Sequence, residues 1–251
     1  MKWWLALLSV LVLVGGLVTK LPDLRAQPAS EHCQASARTD TSPNSHRAHE
    51  RAVWEGSDEG IAYSEFNHRF AGLFVLLFGL AELGQGLRYS LPFWTRFVLP
   101  AALAVIGAYL LIWSDHEAWP IGSLTFIQTF SGQDPEILQH KFYGVFSSTA
   151  AVSETLRRTA WARHPGWAVP LCILGLGGAL MLFFHSHGDH PADSMITLHH
   201  ALLGSFGIGA AVSSAMVAWV SGISPQTAKR WELAWAGFVI AIGLQLLVYF
   251  E

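Results

Sequence analysis

His68-Arg-Phe-Ala-Gly72-Leu-Phe74 opens a long apolar segment and is one of three copies of the same pattern. The other copies are His140-Lys-Phe-Tyr-Gly144-Val-Phe146 and His200-Ala-Leu-Leu-Gly204-Ser-Phe206, so all three read H-x-x-x-G-x-F. Repetition at this scale indicates a repeated structural unit. We therefore expect the three imidazoles to lie at the same depth in one fold, and three imidazoles placed in this way are a candidate metal or haem site.

The composition is that of a membrane protein. Hydrophobic residues make up 52% of the 251 residues and charged residues only 13%. A helix that spans a membrane needs about 20 predominantly apolar residues, and six segments come close to this: His68–Leu83, Phe97–Trp113, His140–Leu156, Trp167–Phe184, Ala201–Val220 and Leu233–Phe250. The sequence predicts an all-α polytopic membrane bundle of three antiparallel hairpins, with six spans in residues 61–251.

The N-terminal region is expected to be separate from this bundle. Residues 1–26 combine Lys2, an apolar run and a small residue at Ala26, which is typical of a signal peptide or an uncleaved anchor. Residues 27–60 are rich in Ser, Ala, Thr, His and charge and predict a disordered exported arm.

The distribution of cations predicts the orientation in the membrane. With residues 27–60 outside, the outer segments Ser114–Gln139 and His185–His199 contain no Lys or Arg. The inner connections contain Arg88, Arg96, Arg157, Arg158, Arg163, Lys229 and Arg230. This asymmetry follows the positive-inside rule and predicts a bacterial inner-membrane protein with its N-terminal arm and its C-terminus outside.

In this predicted topology, all of the 12 histidines except His164 lie on the outer side. Neutral imidazole suits copper, zinc and haem iron, whereas sulfur ligands are scarce, with 4 Met and 2 Cys. The sequence therefore predicts a copper site, with zinc as the second choice, at the outer face. The candidate metal ligands are His68, His116, His140, His185, His187, His190, His199 and His200.

Two glutamates within the apolar segments are also candidate functional residues. Glu82 and Glu154 each follow a repeat histidine by the same spacing, and this spacing predicts that both face the interior of the bundle. Ionisable groups inside a membrane are costly and are often functional. The alternative for Glu154 is a simple ion pair with Arg157 or Arg158 at helical spacing.

The segments Glu65-Phe-Asn-His68, Gln139-His140-Lys141 and Phe184-His-Ser-His187 through His200 resemble the CopD-type copper-resistance membrane proteins of bacteria. The resemblance implies copper uptake or handling at the periplasmic face, where a periplasmic metal carrier could be a partner.

Two other interpretations remain open beside the copper protein. The glycine at i+4 of each copy removes the side chain beside the imidazole, so another helix or a flat ligand can approach closely. Two repeat histidines could therefore be the axial ligands of haem b in a b-type cytochrome. The chain could also be a structural membrane subunit without a cofactor. No phosphate-binding glycine loop, Ser/His/Asp set or basic nucleic-acid patch is present, so the sequence favours a binding protein over an enzyme and predicts no nucleic-acid partner.

Overall fold

The computed structural model of the protein describes residues 57–131, 134–183 and 193–250. These residues form seven α-helices and no strand. The helices are α1 (Asp58–Gly86), α2 (Val98–Ile112), α3 (Phe126–Phe130), α4 (Pro135–Arg158), α5 (Val169–Leu182), α6 (Asp193–Trp219) and α7 (Pro225–Leu247). Short 3-10 turns, Phe93–Phe97 and Pro165–Ala168, lead into α2 and α5. The predicted all-α class is confirmed for the described residues. The predicted signal or anchor and residues 27–56 of the arm lie outside them.

In the described ranges, five segments are long and apolar enough to cross a membrane by length and composition. They contain α1, α2, α5, α6 and α7, which supports a membrane protein. The helix α4 does not meet this criterion. Its buried side chains include Lys141, Ser147, Ser153 and Glu154, and these lower its hydropathy although α4 packs against both α2 and α5.

The glycine of each repeat copy lies at a close contact between two helices. A Cβ atom at Gly72 would lie 2.8 Å from the backbone nitrogen of Leu247 in α7. At Gly144 it would lie 2.8 Å from Leu111 in α2, and at Gly204 it would lie 2.9 Å from the carbonyl of Ala179 in α5. Each repeat helix therefore packs closely on the helix that precedes it around the bundle, and small residues allow this approach.

The remaining interfaces complete a ring of six helices. Phe70 of α1 packs on Tyr109 of α2, with ring centroids 4.5 Å apart. Tyr143 of α4 donates a hydrogen bond to Gly178 of α5 at 2.9 Å. Gly209 of α6 lies against the ring of Phe238 in α7. Each long helix thus contacts two neighbours, in the order α1, α2, α4, α5, α6, α7 and back to α1.

Neighbouring helices in this ring run antiparallel. Along the α1–α7 interface, Gly72 meets Leu246, Gly79 meets Val239 and Gly86 meets Leu233, so the numbers rise on one helix as they fall on the other. The buried core is filled by residues from all six helices. It contains Phe78, Leu99, Ala102, Leu103, Ala150, Ala151, Leu171, Ala210 and Val239.

The repeat histidines open the apolar segments of the sequence, but they lie inside their helices and not at the helix starts. The helix α1 begins at Asp58, well before His68, and α6 begins at Asp193, before His200. The start of α4 is fixed by Asp134, whose carboxylate accepts hydrogen bonds from the backbone nitrogens of Glu136 and Ile137. Helix capping therefore does not account for the repeat histidines.

Candidate metal-binding face

Antiparallel packing brings residues 62–72 of α1 and the N-terminal parts of α4 and α6 to the same end of the bundle as the last turns of α2 and α7. This end holds His68, His116, His140, His199 and His200, and we call it the histidine face. His164 lies at the opposite end, where its ring nitrogen accepts a hydrogen bond from Gly166 at the start of the turn before α5. His185, His187 and His190 fall outside the described residues.

Asp115, just after α2, organises one side of the histidine face. Its Oδ1 lies 2.8 Å from Nδ1 of His140, and its Oδ2 lies 3.3 Å from Nζ of Lys141. The hydroxyl of Ser114 is 2.5 Å from Oδ2. Both carboxylate oxygens are therefore in use, and the carboxylate orients the imidazole.

Lys141 is the most deeply buried cation of the described residues, with 1% of its side chain exposed. Its Nζ donates to the carbonyls of Leu110 and Leu111 at 3.3 and 3.1 Å, in the last turn of α2. Arg69 holds the equivalent position in the first repeat and donates to the carbonyl of Tyr249, just after α7. In the first two copies, the cation thus binds carbonyls at the C-terminal end of the preceding helix.

The electrostatic environment keeps Asp115 ionised. Burial alone would raise the pKa of this carboxyl, but the charge and hydrogen bond of His140 act against burial, together with Ser114 and Lys141. Their combined effect holds the pKa of Asp115 below its usual range. An ionised carboxylate is therefore present to accept the proton of the imidazole.

Tyr249 organises the other side of the histidine face. This tyrosine is fully buried, and the ring of His68 stacks on it with centroids 3.9 Å apart. The ring of His199 meets it edge-on at 5.2 Å. His68 Nδ1 lies 2.9 Å from the carbonyl of Ser64, one turn earlier in α1, so that carbonyl accepts the ring proton.

Asn67 connects the two sides. Its amide donates to the carbonyl of Ser114 at 3.3 Å, and its oxygen accepts a hydrogen bond from Tyr109 at 2.5 Å. Tyr63, one turn earlier, donates to the carbonyl of Trp113. Asn67 is adjacent to His68, and Ser114 is adjacent to Asp115. The hydrogen bond from Asn67 to Ser114 therefore connects the side that contains His140 to the side that contains His199.

The structure brings several predicted ligands to one end but does not bring the three repeat histidines together. Within the described ranges, no three His, Cys, Asp or Glu side chains form a group that could hold a metal ion. His140 meets Asp115, His68 meets Tyr249, and His200 is buried in α6. His116 is partly exposed and lies 3.9 Å from Glu117.

Sequence reasoning did not assign the roles of Asp115, Lys141 and Tyr249. The shared cation after His68 and His140 was the available signal for Lys141, because a cation at the same place in two copies indicates a common contact. The contact of Tyr249 with His68 joins residues from opposite ends of the chain, and no local pattern predicts it.

The two glutamates singled out in the apolar segments meet at the opposite end of the bundle. Arg158 lies 2.9 Å from Glu82 and 3.4 Å from Glu154, so one guanidinium joins the two side chains. Glu154 also pairs with Arg157, one turn along α4, and Arg158 donates to the carbonyl of Arg96. The cluster is a buried ion network that ties α1 to α4 and to the turn before α2.

Comparison with protein-family models, curated proteins and solved structures finds no match to this chain.

Proposed function

We propose that this chain is an integral membrane protein that binds copper, or zinc, at the periplasmic face of a bacterial inner membrane. The observation that carries the proposal is the histidine face itself, where His68, His116, His140, His199 and His200 share one end of a helix bundle. Imidazole donors without thiolates suit Cu(II) or Zn(II). The proposal assigns the chain to ion binding and transfer and not to catalysis.

The topology that we propose has six spans. The helix α4 is the sixth, and it crosses the membrane as a member of the ring, where α2 and α5 pack on either side of it. The three antiparallel hairpins of this topology are α1–α2, α4–α5 and α6–α7 along the chain. In this orientation the histidine face lies in the periplasm, together with the N-terminal arm and the C-terminus, and a periplasmic metal carrier could dock there.

The resemblance to CopD-type copper-resistance proteins supports the choice of copper. Haem b is the second candidate cofactor. The main argument for it in the sequence is the space that each repeat glycine leaves beside its histidine. In the folded chain, atoms of a neighbouring helix occupy that room at Gly72, Gly144 and Gly204. Helix packing therefore explains these glycines without a porphyrin, and we favour the metal ion.

The proposal is tested on the purified full-length chain in detergent, by elemental analysis after loading with Cu²⁺ or Zn²⁺ and by the visible spectrum. His68→Ala, His140→Ala and His200→Ala should each lower the bound metal. His164→Ala, at the opposite end, and His32→Ala, in the arm, are the matched controls and should bind as much as the natural chain.

Equal metal content in all five variants would contradict a site on the histidine face. A Soret band from tightly bound haem would favour the cytochrome, and a chain that holds neither metal nor haem would favour a structural subunit.

A further inference from the structure

We propose that the groove between α2 and α4 binds an anionic phospholipid, with an acyl chain in the groove and the phosphate on Arg96. The groove lies near the start of α2 and the end of α4, at the end of the bundle opposite to the histidine face. Lipid binding there is therefore independent of metal binding at the histidine face.

The lining of the groove is apolar. The groove has a volume of about 360 Å³. Among the described residues, Thr155 is the one polar side chain that lines it, and the Thr155 hydroxyl already donates a hydrogen bond to the carbonyl of Ala151 at 2.8 Å. The apolar lining includes Phe97, Pro100, Ala101, Ala104, Ala151 and Val152. A surface of this kind suits an alkyl chain and offers little to a polar ligand.

The groove opens to the outside of the bundle, where lipid surrounds a membrane protein. Val152 is 60% exposed, and Ala101 and Ala104 are exposed as well. Along α2 the lining runs from Phe97 to Ala104, which corresponds to about 10 Å of helix. An acyl chain that follows the groove would therefore pack against both helices over the first part of its length.

Arg96 supplies a positive charge at the end of the groove. Its guanidinium carbon lies 4.0 Å from the ring centre of Phe93 and 4.9 Å from that of Phe97, which lines the groove. These rings hold the guanidinium in place. Among the described residues, no carboxylate forms an ion pair with Arg96, and its buried Nε has no hydrogen-bond partner. The Arg96 guanidinium is thus available to a phosphate, which arginine can bind through two parallel hydrogen bonds.

The surroundings of Arg96 are those of a membrane interface. Trp94 and Trp161 are both exposed at this end of the bundle, and exposed tryptophans are typical of the headgroup level of a bilayer. Basic pockets between transmembrane helices on the cytoplasmic side bind anionic lipid headgroups. A phospholipid with its phosphate at Arg96 would therefore direct its acyl chain along the groove.

The test compares phosphatidylglycerol with phosphatidylcholine of the same acyl chains, bound to the purified full-length chain in detergent and measured by native mass spectrometry. We expect the natural chain to bind phosphatidylglycerol about fivefold more tightly. Arg96→Gln should abolish this preference. Arg163→Gln is the matched control, because Arg163 is an exposed cation beyond the end of α4 and does not line the groove, and this variant should keep the preference.

A second pair of variants tests the groove itself. Ala104→Phe should weaken the binding of both lipids, because the new ring would fill the groove from its exposed side. Ala108→Phe is the control, since Ala108 is also exposed on α2 but does not line the groove, and it should bind both lipids as the natural chain does.

Equal binding of the two lipids by the natural chain would overturn the proposal, and this measurement does not depend on how any variant folds. A preference retained in Arg96→Gln, or unchanged lipid binding in Ala104→Phe, would also overturn it. Displacement of phosphatidylglycerol by inorganic phosphate at equal concentration would assign Arg96 to a soluble anion instead. A dimer of the natural chain that dissociates in Ala104→Phe would assign the groove to a second copy.

Discussion

Lys141 shows at the scale of one residue how a buried cation can serve the packing of a helix bundle. Its ammonium group is nearly inaccessible, and it contacts Asp115 and the last carbonyls of α2. A buried charge is tolerated only when it is paired and hydrogen-bonded. Here the partners come from a helix terminus, where carbonyls lack partners within their own helix.

Replacement of Lys141 by Met should therefore destabilise the protein by about 3–5 kcal/mol, the usual cost of breaking a buried ion pair. Arg69→Met is the matched control, because Arg69 has the same place in the first repeat but its side chain is 49% exposed. Its loss should cost about 1 kcal/mol or less. Unfolding in detergent measures the loss of stability in both variants. Equal losses would show that burial of the cation does not determine its contribution to stability.

At the opposite end of the bundle, we expect Arg158 to contribute to stability as Lys141 does. Arg158→Gln should leave Glu82 and Glu154 without their shared cation, and we expect a loss of about 3–5 kcal/mol. Arg157→Gln should cost much less, because Arg157 is more exposed and pairs with Glu154 alone. The double variant Glu82→Gln/Arg158→Gln should recover part of the loss, since coupled residues are not additive.

Strict additivity of the Glu82 and Arg158 changes would contradict a direct coupling. Unfolding in detergent of the two single variants and the double variant provides the comparison.

At the scale of the helix, the repeat sets the distance between neighbours. The three repeat glycines meet α7, α2 and α5, and the facing residues at two of these contacts are themselves glycines, Gly243 and Gly107. Without a side chain on either helix, the backbones approach closely and gain van der Waals contact. In the first two copies, the histidine and the cation that follows it then reach the end of the neighbouring helix.

Gly72→Ala should destabilise the bundle by about 1–3 kcal/mol, because the new methyl group would overlap α7 and force the helices apart. Gly177→Ala is the control, since a Cβ atom there meets nothing within 4 Å. In that helix interior, alanine should be neutral or stabilising by up to about 1 kcal/mol. The midpoint of thermal unfolding in detergent compares them, and an equally tolerated Gly72→Ala would refute the close contact.

For the whole molecule, the proposed six-span topology depends on whether the polar helix α4 crosses the membrane. Its length of 24 residues is sufficient to cross a membrane, but its polar side chains remove it from the five segments that satisfy the hydropathy criterion. Neighbouring elements satisfy several of its polar groups: Tyr143 donates a hydrogen bond to Gly178, Ser153 donates to Trp167, and Lys141 donates to the last turn of α2.

The proposed six spans put the segments before and after α4 on opposite sides of the membrane. Cysteines at Ser123 and Arg163, each exposed, test this in a chain without Cys33 and Cys172. A membrane-impermeant maleimide added to intact spheroplasts should label Ser123→Cys only, and Arg163→Cys should react after lysis. Labelling of both before lysis would mean that α4 does not cross.

Much of the fold could be predicted from the sequence, because it depends on local composition and spacing. Apolar segments of sufficient length predict helices, and the repeated Gly72, Gly144 and Gly204 predicted close approaches. The helix starts were predicted less well, because α1 and α4 begin before the apolar segments in which the repeat histidines lie.

The sequence alone determined an all-helical chain whose apolar segments suit a membrane, whose histidines are concentrated at one side of the predicted topology, and whose repeated motif recurs at each third of the bundle. These properties depend on residue type and on spacing along one helix. The folded chain was needed to show that Asp115 meets His140, that Tyr249 meets His68, and that Arg158 joins Glu82 to Glu154. Each of these contacts joins different helices, and its geometry depends on how the ring of helices closes, which local spacing does not specify.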